Sequence, residues 1–238
     1  PHDMGTFCSR GTFVNGNAAI LASLDAKKKI LHLGSKHLNV PEEELDLENM
    51  VIFEKANPEN SMKVSELFSF EGGIEEGGDI IGGATWHHPY AGGVLEIPRD
   101  TYSYGSWGME VGVNIETGEV KITKLIGCYD GGTIVNPTAA EAQIEGAFSM
   151  GFGQALFEHV MVNDQGKMIN CSFRDYKVPT FMDSPSTKIM DISFAPDNPN
   201  EFGPHGAKGI GEVSTVPVLP GIANAVSDAI GIELYDLP

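Results

Sequence analysis

Between Met109 and Ile126 the chain is written to double back on itself. Met109-Glu110-Val111-Gly112-Val113-Asn114-Ile115 alternates, Glu116-Thr117-Gly118-Glu119 reads as a turn, and Val120-Lys121-Ile122-Thr123-Lys124-Leu125-Ile126 alternates in return. Side chains two apart share a face of a strand, so this pattern predicts a β-hairpin with one buried face. Three other segments carry the helical period instead. In Asn17 to Leu38, Leu21, Leu24, Leu31 and Leu38 fall on one side, with Ala18, Ala19 and Ala22 permitting close packing. From about Thr138 to His159, Ile144, Phe148, Phe152 and Leu156 recur at i+4, and Pro220 to Ile230 aligns Ile222, Ala225, Val226 and Ala229. Helices packed on mixed sheets, with hairpins at the edges, make the expected class α+β.

Weaker signals fill the intervals. Leu45 to Glu54 reads as a strand around Met50-Val51-Ile52-Phe53, Lys63 to Leu67 as a short helix, and Lys188 to Phe194 as a strand. A second hairpin is expected over Val160 to Ile169, turning at Asn163-Asp164-Gln165-Gly166. Glu71 to Gly93 is glycine-rich and reads as loop, a candidate crossover between two lobes. Within it, the adjacent His87 and His88 point to opposite sides of an extended chain and do not suggest a shared metal. Lys27-Lys28-Lys29 reads as a solvated face. Phe173 to Thr180, dense in polar and aromatic groups, either pairs charges locally or lines a site.

The bulk numbers mainly exclude. At 238 residues and 41% hydrophobic the chain can bury a sizeable core, and 29 glycines without a repeat imply tight backbone approaches. A formal net charge of -18 argues against a nucleic-acid backbone or an anionic membrane as partner. Cys8, Cys128 and Cys171 are far apart, so no iron–sulfur cluster or structural zinc is expected on this chain. An odd cysteine count without a signal peptide suits a reducing cytoplasm. The chain opens at Pro1 without an initiator methionine and stops at Pro238 without a tail, so it reads as a piece of a longer polypeptide.

Chemistry concentrates in Gly206-Ala207-Lys208-Gly209-Ile210-Gly211-Glu212. Three glycines allow positive φ and close approach, their amides suit an anion, and Lys208 adds positive charge. Glu212 behind them is a candidate general base, since burial raises a carboxyl toward neutrality. Gly5-Thr6-Phe7-Cys8-Ser9-Arg10-Gly11-Thr12 offers hydroxyls, amides and one Arg to a phosphate-bearing ligand. Gly146, Gly151 and Gly153 sit inside the second helix, where each costs about 1 kcal/mol against alanine, so close packing, a kink or a ligand must justify them. Gln143 and Met150 are candidates to face such a ligand; taken alone they read as a surface amide and a core residue. A generic nucleotide binder would need GxGxxG after a strand or a P-loop Lys-Ser/Thr, and neither occurs.

In order along the chain, these blocks resemble the molybdopterin-binding subunit of the molybdenum hydroxylases, the xanthine dehydrogenase and aldehyde oxidase family. The resemblance rests on Gly5-Thr6 with Ser9-Arg10 and Gly16-Asn17-Ala18; Glu116 to Val120; Asp130 with Asn136-Pro137; Gln143 to Ala147; Gly151 to Leu156; Asp175 to Pro179; and Gly206 to Glu212 followed by Ile222 to Ala225. It runs nearly end to end, over what is the second molybdopterin-binding region of the family, the last third or so of the catalytic polypeptide. Nicotinate dehydrogenase, whose medium subunit carries this half, offers a similar arrangement.

The resemblance implies a molybdenum–molybdopterin cofactor, in cytosine dinucleotide form and with a terminal sulfide or selenide, whose metal is held by the pterin dithiolene and not by protein. It implies hydroxylation of an electron-poor carbon of an N-heteroaromatic substrate with water-derived oxygen, Glu212 deprotonating the attacking oxygen. Phe7, Cys8, Ser9, Gln143, Lys208, Gly209, Ile210 and Gly211 would lie near the cofactor. At Met150 many members carry a glutamine facing the metal centre, and methionine cannot donate that hydrogen bond. Electrons would leave through separate iron–sulfur and flavin (FAD) subunits, beside the other half of the molybdopterin subunit. The alternative is a cofactor-holding or structural subunit that keeps the fold without turnover.

Overall fold

The computed structural model describes residues 5–68, 79–89, 102–196 and 198–237. The chain divides into two compact units, Pro1–Phe13 with Tyr90–Pro238, and Val14–Pro89. Most of the glycine-rich 71–93 stretch lies outside the described residues.

In the smaller unit, helix α1 (Gly11–Leu38) precedes a three-stranded antiparallel sheet of β1 (Leu45–Glu48), β2 (Val51–Glu54) and β3 (Ser61–Lys63). The single strand expected over Leu45 to Glu54 is two strands. Asn49 and Met50 both adopt left-handed backbone (φ 48 and 62), the pair of conformations that closes a two-residue hairpin with the right twist. Val40, Leu45, Ile52, Val64 and Leu67 form the core, with Ile30, Leu31, Leu33 and Leu38 of α1 packed on it. Only the second half of the expected α1 stripe is used, for Leu21 and Leu24 are exposed. Lys63 ends β3, and Val64–Phe68 forms the expected short helix as a 3-10 turn.

The larger unit is built on the hairpin. β4 (Tyr104–Val113) pairs antiparallel with β5 (Val120–Asp130), and β6 (Met190–Phe194) adds in parallel on the far side of β5, a mixed sheet. Alternation along β5 is not continuous. The register slips at Glu110/Val111, Thr123 becomes the extra residue, and its hydroxyl donates to the Glu110 carbonyl (3.0 Å). That bulge turns Leu125 into the core with Ile122 and leaves Ile126 outside.

Helices α2 (Pro137–Leu156) and α3 (Val218–Ile230) cover the inner face. Asn136 caps α2 by accepting from the Ala139 N–H, and Pro137 occupies its first turn, where no amide is needed. Gly231 ends α3 in left-handed backbone (φ 71). Ile144, Phe148 and Phe152 of α2 are buried as expected, and Phe148 and Phe152 pack against Val218, Ile222 and Val226 of α3 and Ile122 and Leu125 of β5. The second expected hairpin reduces to one bridge, Val162 with Met168, around a turn held by the Asn163 side chain. Among the described residues no helix is long and apolar enough to cross a membrane.

Two of the three α2 glycines now have reasons. A Cβ on Gly151 would lie 2.6 Å from the Val218 Cβ, so α2 and α3 meet backbone to side chain there. On Gly153 it would lie 2.7 Å from Pro179 Cδ, and Tyr176 donates to Glu158 (2.8 Å) beside it. The Asp175 to Pro179 stretch is therefore a strap over the end of α2. Gly146 meets open space. Gly151→Ala is expected to destabilise by about 1–3 kcal/mol through overpacking, and Gly146→Ala to stabilise by about 0.5–1 kcal/mol. Denaturant unfolding followed by circular dichroism checks both; shifts of the same sign would contradict this packing.

Candidate functional site

The glycine loop runs from a short 3-10 turn (Pro204–Gly206) to the turns that precede α3. Its root is a buried ion pair. The Lys208 ammonium lies 2.7 Å from Asp130 Oδ2 at the end of β5, with side chains only 7% and 8% exposed. Asp130 also accepts from the Gly132 N–H (3.0 Å) and the Asn198 amide (2.9 Å). Burial by itself pushes the Asp130 carboxyl up, but Lys208, Gly132 and Asn198 outweigh it and hold the group below the usual carboxylate range. The charge on Lys208 is thus spent inside the protein, and its own N–H donates to the Gly131 carbonyl (2.9 Å). Gly132 must be glycine, since a Cβ there would sit 2.2 Å from the Gly206 carbonyl oxygen and its φ is +60.

Beyond Lys208 the loop meets the first motif. Phe7 to Arg10 is a tight turn closed by the Arg10 N–H on the Phe7 carbonyl (3.1 Å), with Cys8 and Ser9 both left-handed at φ 53 and 54. Two consecutive non-glycine residues there cost about 1–2 kcal/mol each. That turn presses Ser9 onto Gly209, where a Cβ would lie 2.3 Å from the Ser9 carbonyl oxygen. The Glu212 N–H donates to the Ser9 hydroxyl (2.8 Å), joining residues 203 apart in sequence. A Cβ on Gly211 would lie 3.4 Å from Gln143 Oε1 and 3.5 Å from Ser9 Oγ. Ser9, Gln143, Gly209, Gly211 and Glu212 therefore meet at one place. Cys8, Ser9, Arg10, Phe13, Ser103, Lys208 and Gly209 line a cleft of about 110 Å³ beside it.

The loop is polarised. Three of its carbonyls are taken by protein donors: Ser103 donates to Gly209 (2.5 Å), Ser214 to Ile210 (3.0 Å) and Thr215 N–H to Glu212 (3.1 Å). The amides of Gly209, Ile210 and Gly211 have no acceptor among the described residues. Such a run of amides suits oxygen-bearing or anionic groups. Only Gly206 of the three loop glycines takes positive φ; Gly209 serves close approach instead.

Other positions depart from expectation. The Glu212 side chain is exposed and makes no hydrogen bond or ion pair among the described residues, so the burial expected of it is not supplied by this chain. Ile210 directs its side chain inward, its Cγ2 lying 3.0 Å from where a Gly131 Cβ would be, and offers only backbone to a ligand. Phe7 is 58% exposed and packs over Gly5. Met150 is not core: it is 60% exposed, two turns along α2 from Gln143. Ser103, Ser214, Thr215 and Asp130 escaped notice as functional because each acts through the loop's backbone or a distant partner. Asp130 directly before Gly131-Gly132 was the signal available.

The family of the chain is shown by comparison. Residues 1–185 match the molybdopterin cofactor-binding domain, and the chain belongs to that family. Over 98% of its length it is 31% identical to the "Probable hypoxanthine oxidase XdhD" of Escherichia coli, covering 23% of that protein. It is 28% identical, again over 98%, to the nicotine 6-hydroxylase large subunit of Paenarthrobacter nicotinovorans, covering 28%. A Cu,Mo-CO dehydrogenase structure superposes with a TM-score of 0.79 at 25% identity, over 97% of this chain and 28% of the other. The chain thus spans about a quarter of the length of these relatives.

Removing one member of the buried pair strands the other. Asp130→Asn is expected to cost about 3–5 kcal/mol, and Lys208→Met with Asp130→Asn to cost less than Asp130→Asn alone. Because the folded carboxyl lies below its unfolded value of about 3.9, the stabilisation is complete above that pH and is lost as pH falls through the folded value. Denaturant unfolding of wild type and Asp130→Asn should show a gap that is full at neutral pH and narrows below about pH 4; a constant gap would contradict the pairing.

Proposed function

We propose that this chain is the second molybdopterin-binding region of a molybdenum hydroxylase that inserts water-derived oxygen at an electron-poor carbon of an N-heteroaromatic compound. The observation that carries this reading is the meeting of Gly211-Glu212 with Ser9 and Gln143, beside three amides without an acceptor among the described residues. Family membership supplies the cofactor class, and the donor set fits a group that brings its own metal ligands. Amides of Gly209, Ile210 and Gly211 and the exposed Gln143 side chain would hold such a group by hydrogen bonds.

When bound, the cofactor supplies the two-electron redox centre. Glu212 takes the proton from the attacking oxygen, and Ser9 holds the Glu212 backbone for that transfer. Lys208 works indirectly, by anchoring the loop to Asp130, and Cys8 and Phe7 form the adjoining turn. Met150 would offer a thioether at the position where the family places a glutamine.

The N-heteroaromatic substrate class is supported by the names of two relatives, a hypoxanthine oxidase and a nicotine 6-hydroxylase. A cytosine dinucleotide pterin, a terminal sulfide or selenide, separate iron–sulfur and FAD subunits, and the remaining half of the molybdopterin subunit complete the assembly we propose. The exposed free thiols Cys8, Cys128 and Cys171 suit a reducing cytoplasm.

The test is the complex purified with its genomic neighbours, assayed for molybdenum by mass spectrometry and for turnover of hypoxanthine, nicotinate, an aromatic aldehyde and carbon monoxide. Glu212→Gln is expected to lower turnover about 10²–10⁴-fold with molybdenum retained. Turnover indifferent to Glu212 would favour a cofactor-holding role without base catalysis, and preference for the aldehyde or carbon monoxide would refute the substrate class.

A further inference from the structure

With no partner for its carboxylate among the described residues, Glu212 owes its direction to its backbone. Ser9 fixes the N–H. On the other side the Thr215 N–H holds the Glu212 carbonyl (3.1 Å), and the buried Ser214 ties the same turn to the Ile210 carbonyl (3.0 Å). These last two bonds are internal to the turn and would move with it. From the sheet side the Trp107 indole N–H donates to the Ser214 carbonyl (3.1 Å) across 107 residues and so holds the turn in place. The Thr215 hydroxyl reaches the Ala147 carbonyl of α2 at 3.4 Å, the limit of such a bond.

Trp107 is built in as an anchor. Its ring stands edge-on to Tyr129 (centroids 5.6 Å) and to Phe148 (5.2 Å), both fully buried. Its cross-strand partner on β5 is Gly127, where a Cβ would lie 2.9 Å from the indole Cζ3. A side chain at 127 would therefore push the indole away from its seat, and glycine lets the ring lie across the strand. Tyr129 is seated the same way against Gly105, 2.4 Å from where a Cβ would be. Two glycines on adjacent strands thus make room for two rings beneath the turn that carries Glu212.

We propose that Trp107 is a positioning residue for Glu212: its indole N–H, by holding the Ser214 carbonyl, sets the turn from which the carboxylate projects. This rests on Glu212 acting as the base. The experiment uses the assembled complex with Trp107 replaced by β-(benzothien-3-yl)alanine, which keeps the ring and loses the N–H, and with Trp107→Phe as the encoded counterpart. Expected is a fall in kcat of about 10- to 100-fold, the range for small misplacement of a reacting group, with KM and molybdenum content unchanged. Hydrogen exchange over residues 206–217 should quicken in both variants, a readout independent of turnover. In the double variant with Glu212→Gln, the analogue should add nothing to the loss from Glu212→Gln alone. Unchanged exchange, or losses that multiply, would overturn the proposal. If Glu212→Gln itself retains turnover while exchange still quickens, the anchor holds the turn but the base assignment fails, and positioning for catalysis falls with it.

Discussion

The Asp130–Lys208 pair is the interaction on which the site depends. It joins the end of the central strand of the larger unit's sheet to the glycine loop, between residues 78 apart, with both side chains largely buried. Two buried charges are costly to desolvate, and the pair repays this only because Gly132 and Asn198 complete the carboxylate's hydrogen bonds. Its yield is placement: from Lys208 onward, three amides and then Glu212 are delivered beside the Ser9 turn.

Around that root the molecule divides its labour. The hairpin and two helices make a rigid layer in which bulk is set by Phe148, Tyr129 and Trp107, and closeness by Gly105, Gly127 and Gly151. Irregular backbone carries the candidate site, with the Gly209, Ile210 and Glu212 carbonyls each tied by a hydroxyl or an amide. Membership of the molybdopterin cofactor-binding family accords with this arrangement, in which protein supplies orientation and the cofactor the reactive centre.

What was readable in the sequence follows from how local each cause is. The helical stripe Ile144-Phe148-Phe152 and the hairpin at 109–126 depend on period alone, and both stand. The bulge at Thr123 breaks a period by one residue, and the turn at Asn49-Met50 hides inside an apolar run; neither carries a glycine to mark it. Glu212, Ser9 and Gln143 stand out as candidates through their motifs, and the fold brings those motifs together. Trp107 and the partner of Lys208 were not, since nothing local distinguishes an indole that caps a carbonyl 107 residues away from one that merely fills a core.

The three amides at Gly209, Ile210 and Gly211 also set a condition on assembly. While the loop faces water they are hydrated at no cost. Cover it with another protein surface and bring no acceptor, and each stranded N–H costs about 1–3 kcal/mol. A cofactor that supplies oxygen or nitrogen acceptors removes that penalty. Were the proposed cofactor to lie against this loop, loading and closure would be coupled through the solvation of three backbone groups.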